Sequence, residues 1–256
     1  MTRSITEIDQ VLLLFREGRN QCEIARRTGI PRGTVNDWVN GRIPRDSGGH
    51  QGARCPGCDL GAAMPTETEP AYAYLLGMYL GDGCISRAPR GVFRLRITLD
   101  RAYPQIVAEC AEAMQAIVPT NRVLIYPHPK ESVEEVSMFW KHWPCLFPQH
   151  GIGRKHERPI DLAMWQRAIA DRHPWQFLRG LIHSDGCRFM NTIRHPKKAY
   201  RYPRYNFSNR SDDIRGLFCE YCDKVDVEWR RMNRWDISVA RRESVALMDR
   251  HIGPKH

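Results

Sequence analysis

Two carboxylates in this sequence have the setting of a metal site. Asp82 falls in the stretch YLLGMYLGDG and Asp185 in FLRGLIHSDG, about a hundred residues later, with the same order of Leu, Gly, small residue, Asp and Gly. One Asp-Gly after an apolar run is an ordinary turn signal. Two copies, separated by the length of a small structural unit, point to a duplication. Each run has the pattern of a buried helix carrying small residues four apart: Gly77 and Gly81 in one, Gly180 and Ser184 in the other. Such stripes let two helices approach closely and set their C-terminal aspartates side by side. Gly83 and Gly186 are expected to turn each chain off its helix into a strand. Adjacent carboxylates repel and share a proton unless a cation lies between them, and their oxygens suit Mg2+ or Mn2+. Metal ions about 4 Å apart can stabilise both the attacking and the leaving oxygen of a phosphodiester hydrolysis.

The elements that must position the aspartates repeat as well. After each Asp-Gly comes a period-2 pattern. Arg94, Arg96 and Thr98 alternate with Phe93, Leu95, Ile97 and Leu99; Arg204, Asn206 and Ser208 alternate with Tyr205 and Phe207. Each pattern describes a sheet with one apolar face and one polar, largely basic face, suited to contact with a nucleic-acid backbone and bases. Helices are expected over residues 103–117 and 212–225, and second hairpins over 122–138 and 227–239. Each half then ends on a matching Gly-x-Lys-His, so Lys155 and Lys255 are the candidate positive groups beside the aspartates. A helix over 160–170 has no counterpart in the second half.

Residues 5–40 give three short helices. The first is expected to bury Ile8, Leu12 and Phe15. Asn20 caps the second, which turns Cys22, Ile24 and Ala25 inward. Gly29 makes the turn, and the third begins at Pro31 with Val35, Trp38 and Val39 inward. Arg32, Thr34, Asn36 and Asp37 then face outward, and the first three are the candidate DNA contacts. The other reading is a small three-helix cap on a larger domain.

Residues 41–70 have the Gly, Pro and Arg content of a linker, interrupted by Cys55-Pro-Gly-Cys58. Two thiolates at this spacing can reach one Zn2+, but a structural zinc takes four ligands. His50 could be a third and no fourth is evident locally, so zinc at Cys55 and Cys58 stands beside a reduced turn without metal. Cys219 and Cys222 have the same spacing inside an apolar helix, where core packing accounts for them. Packing between prolines likewise accounts for the aromatic and His residues of FWKHWPCLFPQH.

The 256 residues carry 39 Lys and Arg against 29 Asp and Glu, a net charge of +10 and a pI near 9.3, a field that favours a polyanion. No apolar run is long enough for a membrane span, and MTRSITEIDQ lacks a secretory apolar core. The expected location is cytoplasmic, in a bacterium at the nucleoid.

Two YLLGMYLGDG-like segments in tandem, each followed by strand, strand, helix, strand, strand, resemble the LAGLIDADG homing endonucleases in their two-repeat, single-chain form. The passage running from GRKHERPIDLAMW to FLRGLIHSDG is also similar to the endonuclease domains embedded in inteins. The segment QCEIARRTGIPRGTVNDWVNG resembles the helix-turn-helix of resolvases and bacterial regulators. The resemblance implies an α+β fold: a duplicated αββαββα unit with saddle-shaped antiparallel sheets, preceded by a small all-α helix-turn-helix domain. The domains would be 1–45 (helix-turn-helix), 46–69 (linker), 70–170 (first repeat) and 171–256 (second repeat). It also implies double-stranded DNA as partner, a monomer made complete by its internal repeat, and Mg2+ or Mn2+ held by Asp82, Asp185 and the backbone carbonyls of Gly81 and Ser184. Two functions follow: a metal-dependent, site-specific DNA endonuclease, or a non-cleaving transcriptional regulator on the same fold. The position two before each aspartate, often acidic in the family, is Leu80 in one copy and His183 in the other; His183 is given no catalytic part.

Overall fold

The computed structural model describes residues 5–40, 58–128, 131–195 and 198–255. The chain divides into two compact units, Met1–Gln51 and Gly52–His256.

In the first unit, α1 (Ile5–Arg16), α2 (Gln21–Thr28) and α3 (Arg32–Val39) close around Ile8, Val11, Leu14, Ile24, Ile30, Val35 and Trp38. The Asn20 side chain accepts the Glu23 amide at 3.0 Å and starts α2. Gly29 ends it in the left-handed conformation, φ 68°, which glycine adopts without strain. Phe15 corrects the sequence reading. It is exposed, and α1 turns Val11 and Leu14 inward instead, because the buried stripe follows Ile8 at steps of three.

The second unit is built twice. The first repeat runs α4 (Glu69–Gly81), β1 (Gly83–Arg87), β2 (Phe93–Asp100), α5 (Pro104–Ile117), β3 (Leu124–Pro127), β4 (Val133–Trp140) and α6 (Trp143–Leu146). After the connecting helix α7 (Met164–Arg172), the second runs α8 (Pro174–Asp185), β5 (Gly186–His195), β6 (Lys198–Ser208), α9 (Asp212–Lys224), β7 (Arg230–Arg231), β8 (Asp236–Val239) and α10 (Arg242–His251). The two sheets are antiparallel and share one strand order, β1-β2-β4-β3 and β5-β6-β8-β7. This is the duplicated α+β architecture expected from the repeat.

The period-2 patterns decide which face each sheet buries. Phe93, Leu95, Ile97 and Leu99 of β2, and Tyr205 and Phe207 of β6, are buried, while Arg96, Thr98 and Ser208 stay exposed. Cys219 and Cys222 lie in the core on α9, as packing residues. The expected helix over 160–170 starts later, at Met164. Pro159 precedes a stretch in which the Ile160 amide donates to Asp213 and the Ala163 amide to Gln166, so these residues are extended and α7 begins behind them. No helix among the described residues is long and apolar enough to cross a membrane.

Candidate active site

Helices α4 and α8 pack backbone to backbone, and the sequence makes that possible at three points. A Cβ on Gly77 would lie 2.5 Å from the Phe177 carbonyl oxygen and 2.7 Å from the Leu181 nitrogen. One on Gly180 would meet the Tyr74 carbonyl and lie 2.9 Å from the Met78 nitrogen; one on Gly81 would strike the Ser184 side chain. Gly83 and Gly186 take the chain off each helix into a strand, as expected, and steric room is what requires glycine there. Neither has positive φ; both open a strand, and a Cβ there would sit 2.5 Å from Tyr79 Cα or 2.7 Å from Ile182 Cα in the turn just left.

The close approach puts the ends of the two helices together, and their groups combine crosswise. Asp185 lines a cavity of about 710 Å3 with Gly81, Lys155 and Asn209. Asp82 lines a smaller one of about 180 Å3 with Ser184, Lys255, Leu99 and Asp100. Each cavity therefore takes its aspartate from one repeat and its small helix-end residue from the other. Lys155 donates to the Gly81 carbonyl at 2.7 Å, the Gly83 carbonyl at 2.9 Å and the Tyr79 carbonyl. Lys255 donates to the Ser184 carbonyl at 3.2 Å. The structure thus brings together Asp82, Asp185, Gly81, Ser184, Lys155 and Lys255.

Charge is strained here. Part of Asp82 reaches solvent, but crevice walls crowd its carboxyl, and burial, with Asp185 beside it, pushes its pKa up to about 6 against the pull of Lys155 and Lys255. Burial raises Asp185 too; a hydrogen bond from Asn209 at 2.5 Å and the two lysines oppose that rise. Burial lowers Lys155 to about 8 although both aspartates favour its charge, and it lowers Lys255 in the same way. Carboxylate and carbonyl oxygens facing one another at a strained anionic pair are the donor set of a hard divalent cation. Asp185 with the Gly81 carbonyl, and Asp82 with the Ser184 carbonyl, fit such an ion.

Asn209 was missed in the sequence. Its signal is a break in the alternation just beyond β6: the pairings Gly83 with Ile97 and Gly186 with Phe207 make Asn209 the counterpart of buried Leu99. His183 is a packed residue, 4% exposed, with Nδ1 3.1 Å from the Tyr74 hydroxyl.

The proposed DNA-facing residues are unequal. Arg94 and Arg96 share Glu135 of β4, the first in a close ion pair, the second at 3.7 Å. Thr98 is exposed and Ser208 bonds Asp236. Arg204 donates to the Tyr202 hydroxyl at 3.2 Å, and Asn206 contacts Asp236 at 3.5 Å. In the first unit Arg32 is exposed, Thr34 half-buried, and Asn36 accepts from Asn40 at 3.0 Å. Cys55 and His50 lie outside the described residues. Trp143, Leu146 and Phe147 of FWKHWPCLFPQH are buried packing residues, as expected, and Cys58 has neighbours from that stretch that the sequence did not suggest, His142 and Cys145.

No protein-family model and no curated protein matches the sequence. Among solved structures the chain is similar to I-DmoI in complex with DNA and Mn, with TM-score 0.50, 15% identity, and 74% of this chain and 99% of that one covered. Lower TM-scores of 0.45 relate it to the LAGLIDADG meganuclease I-AabMI bound to uncleaved DNA (10% identity, 70% and 83% covered) and to full-length DUF199/WhiA from Thermatoga maritima (13% identity, 77% and 60% covered). At such identity the likeness to I-DmoI is one of fold, and the second unit has the two-repeat LAGLIDADG endonuclease fold.

Proposed function

We propose that this chain is a metal-dependent, site-specific endonuclease of double-stranded DNA. The observation that carries the reading is the crosswise pairing of each aspartate with the other repeat's helix-end carbonyl and a lysine. It gives two equivalent-by-descent centres at one helix interface, as cutting two strands requires. When bound, Mg2+ or Mn2+ would neutralise phosphate charge and acidify an attacking water. The chain's own groups do the rest. Asp82, with a pKa of about 6, holds a negative carboxylate ready at neutral pH, and Asp185 supplies the second carboxyl. Lys155, with a pKa near 8, keeps its charge there and stabilises the phosphate as negative charge develops. The β2 and β6 faces track the duplex. Arg94 and Arg96 would exchange Glu135 for phosphate on binding, whereas Arg204 needs only to leave a hydroxyl. The first unit, reading as a helix-turn-helix through Arg32, Thr34 and Asn36, adds a second DNA contact. Residues 70–170 and 171–256 form the two repeats, and the chain acts as a cytoplasmic monomer. I-DmoI, whose fold it shares, was crystallised with DNA and Mn.

One observation favours a second reading, a DNA-binding regulator that does not cut: lysine ammonium groups already occupy the Gly81 and Ser184 carbonyls. Incubation with a randomised duplex library and Mg2+ or Mn2+ separates the two. Cleavage is expected, and Asp82→Asn or Asp185→Asn should each lower the rate about 10²- to 10³-fold while salt-sensitive binding persists. Binding without cleavage by the unaltered chain would establish the regulator instead.

A further inference from the structure

The turn that follows β4 carries a second cluster of metal-binding side chains, and none of them lines either aspartate cavity. Cys58 Sγ lies 3.6 Å from His142 Nδ1, Cys145 Sγ lies 4.0 Å from the same nitrogen, and all three atoms fall within 4.8 Å of one another. Cys58 is 84 residues from His142 in the chain, so folding, not sequence proximity, brings them together.

Hydrogen bonds and ring contacts support all three residues. His142 precedes α6, and the Cys145 amide donates to the His142 carbonyl at 2.9 Å, placing the two side chains on one helical turn. Buried Trp143 anchors that turn through its ring N–H, which donates to the Met138 carbonyl at 3.0 Å. The imidazole also meets Trp140 edge-on, with ring centroids 5.1 Å apart. On the other side, the segment after Cys58 is held by a turn from Ala63 to Asp59 and by Gly61, which packs so close to Trp165 that a Cβ would sit 2.5 Å from its ring.

The Cys58–His142 distance matches a tetrahedral ion, and the Cys145–His142 distance is 0.4 Å longer. Zinc–sulfur bonds of about 2.3 Å and zinc–nitrogen bonds of about 2.1 Å, at tetrahedral angles, separate sulfur from nitrogen by about 3.6 Å. Hydrogen bonding explains the cluster less well. One imidazole lone pair accepts from one thiol at a time, whereas a central cation takes both sulfurs and the nitrogen together. Two thiolates and an imidazole are also a soft set that prefers zinc to Mg2+.

We propose that Cys58, His142 and Cys145 hold a structural zinc ion that clips the segment before α4 to the end of β4. Three protein ligands leave the fourth position of a tetrahedral zinc to a further donor. Both thiols lose their protons to solvent as the ion binds. The site is independent of DNA cleavage.

The test is metal analysis of the full chain purified under reducing conditions. One equivalent of zinc is expected, retained in the Asp82→Asn, Asp185→Asn double variant and lost in Cys58→Ser. In the unaltered chain, Co2+ exchanged into the site should give the thiolate charge-transfer and intense visible bands of a tetrahedral ion. A folded, unaltered chain that holds no zinc and gives no thiolate–cobalt band would overturn the proposal, whatever the variants do. So would zinc that survives Cys58→Ser but leaves with the aspartates.

Discussion

In the larger cavity Asp185 has an amide partner, Asn209, and the lysine opposite it, Lys155, holds three backbone carbonyls; in the smaller, Asp82 faces Leu99 and Asp100, and Lys255 holds one carbonyl. Duplication supplied the same residue types to both, and the surroundings then diverged. Lys155 closes the C-terminal end of α4, where a cation meets both orphan carbonyls and the negative end of the helix dipole. The end of α8 has a weaker lysine contact and depends more on the side chain of Asn209. One lysine is therefore part of the fold as well as of the site, and its counterpart is much less so.

The strongest way to break this comparison is to part the helices on which both cavities depend. Gly180→Ala drives a methyl group into the Tyr74 carbonyl and the Met78 amide, and should cost about 1–3 kcal/mol in urea unfolding. The control is Gly216→Ala on α9, where nothing lies within 4 Å; it should be neutral or stabilising by up to about 1 kcal/mol. Because the cavities are crosswise, Gly180→Ala should slow cleavage of both strands together. Slowing of one strand alone would contradict shared construction.

More local and more discriminating is the lysine pair. Lys155→Met leaves the carbonyls of Tyr79, Gly81 and Gly83 without their shared donor, and should lower stability by about 1.5–3 kcal/mol. Lys255→Met removes a single longer bond and should cost about 0.5–1.5 kcal/mol. Equal losses in thermal or urea unfolding would show that the asymmetry has no energetic weight.

Much of the fold was legible because its signals were periodic. The strand alternation at Phe93–Leu99, the paired small residues of α4 and α8, and the repeated Lys155 and Lys255 each state a burial or a proximity in residue types. What escaped depended on distance in the chain. Asn209 is an ordinary loop amide until β6 carries it to Asp185. His142 and Cys145 look like packing residues until Cys58 arrives from 84 residues away. Glu135, which ties down Arg94 and Arg96, sits on a strand whose pairing with β2 only register decides. Phe15 was misplaced by taking the wrong stripe on a helix apolar on several sides.

The mildest test of the asymmetry uses protons. Folded Asp82 has a pKa of about 6 against an ordinary 3.8, so the folded chain holds that proton more tightly than the unfolded chain does. Its stabilising contribution is complete below about pH 3.8 and is lost as pH rises through about 6. In chelator, the melting temperature should carry a component that falls across this window, and Asp82→Asn should remove it. Asp185 is raised too, but Asn209 opposes the rise. Asn209→Ala should therefore lift the Asp185 pKa further and deepen the fall, while Mg2+ or Mn2+ should abolish it by binding the ionised pair. If Asn209→Ala leaves the pH profile unchanged, the amide does not distinguish the two carboxylates, and the difference between the half-sites reduces to their lysines.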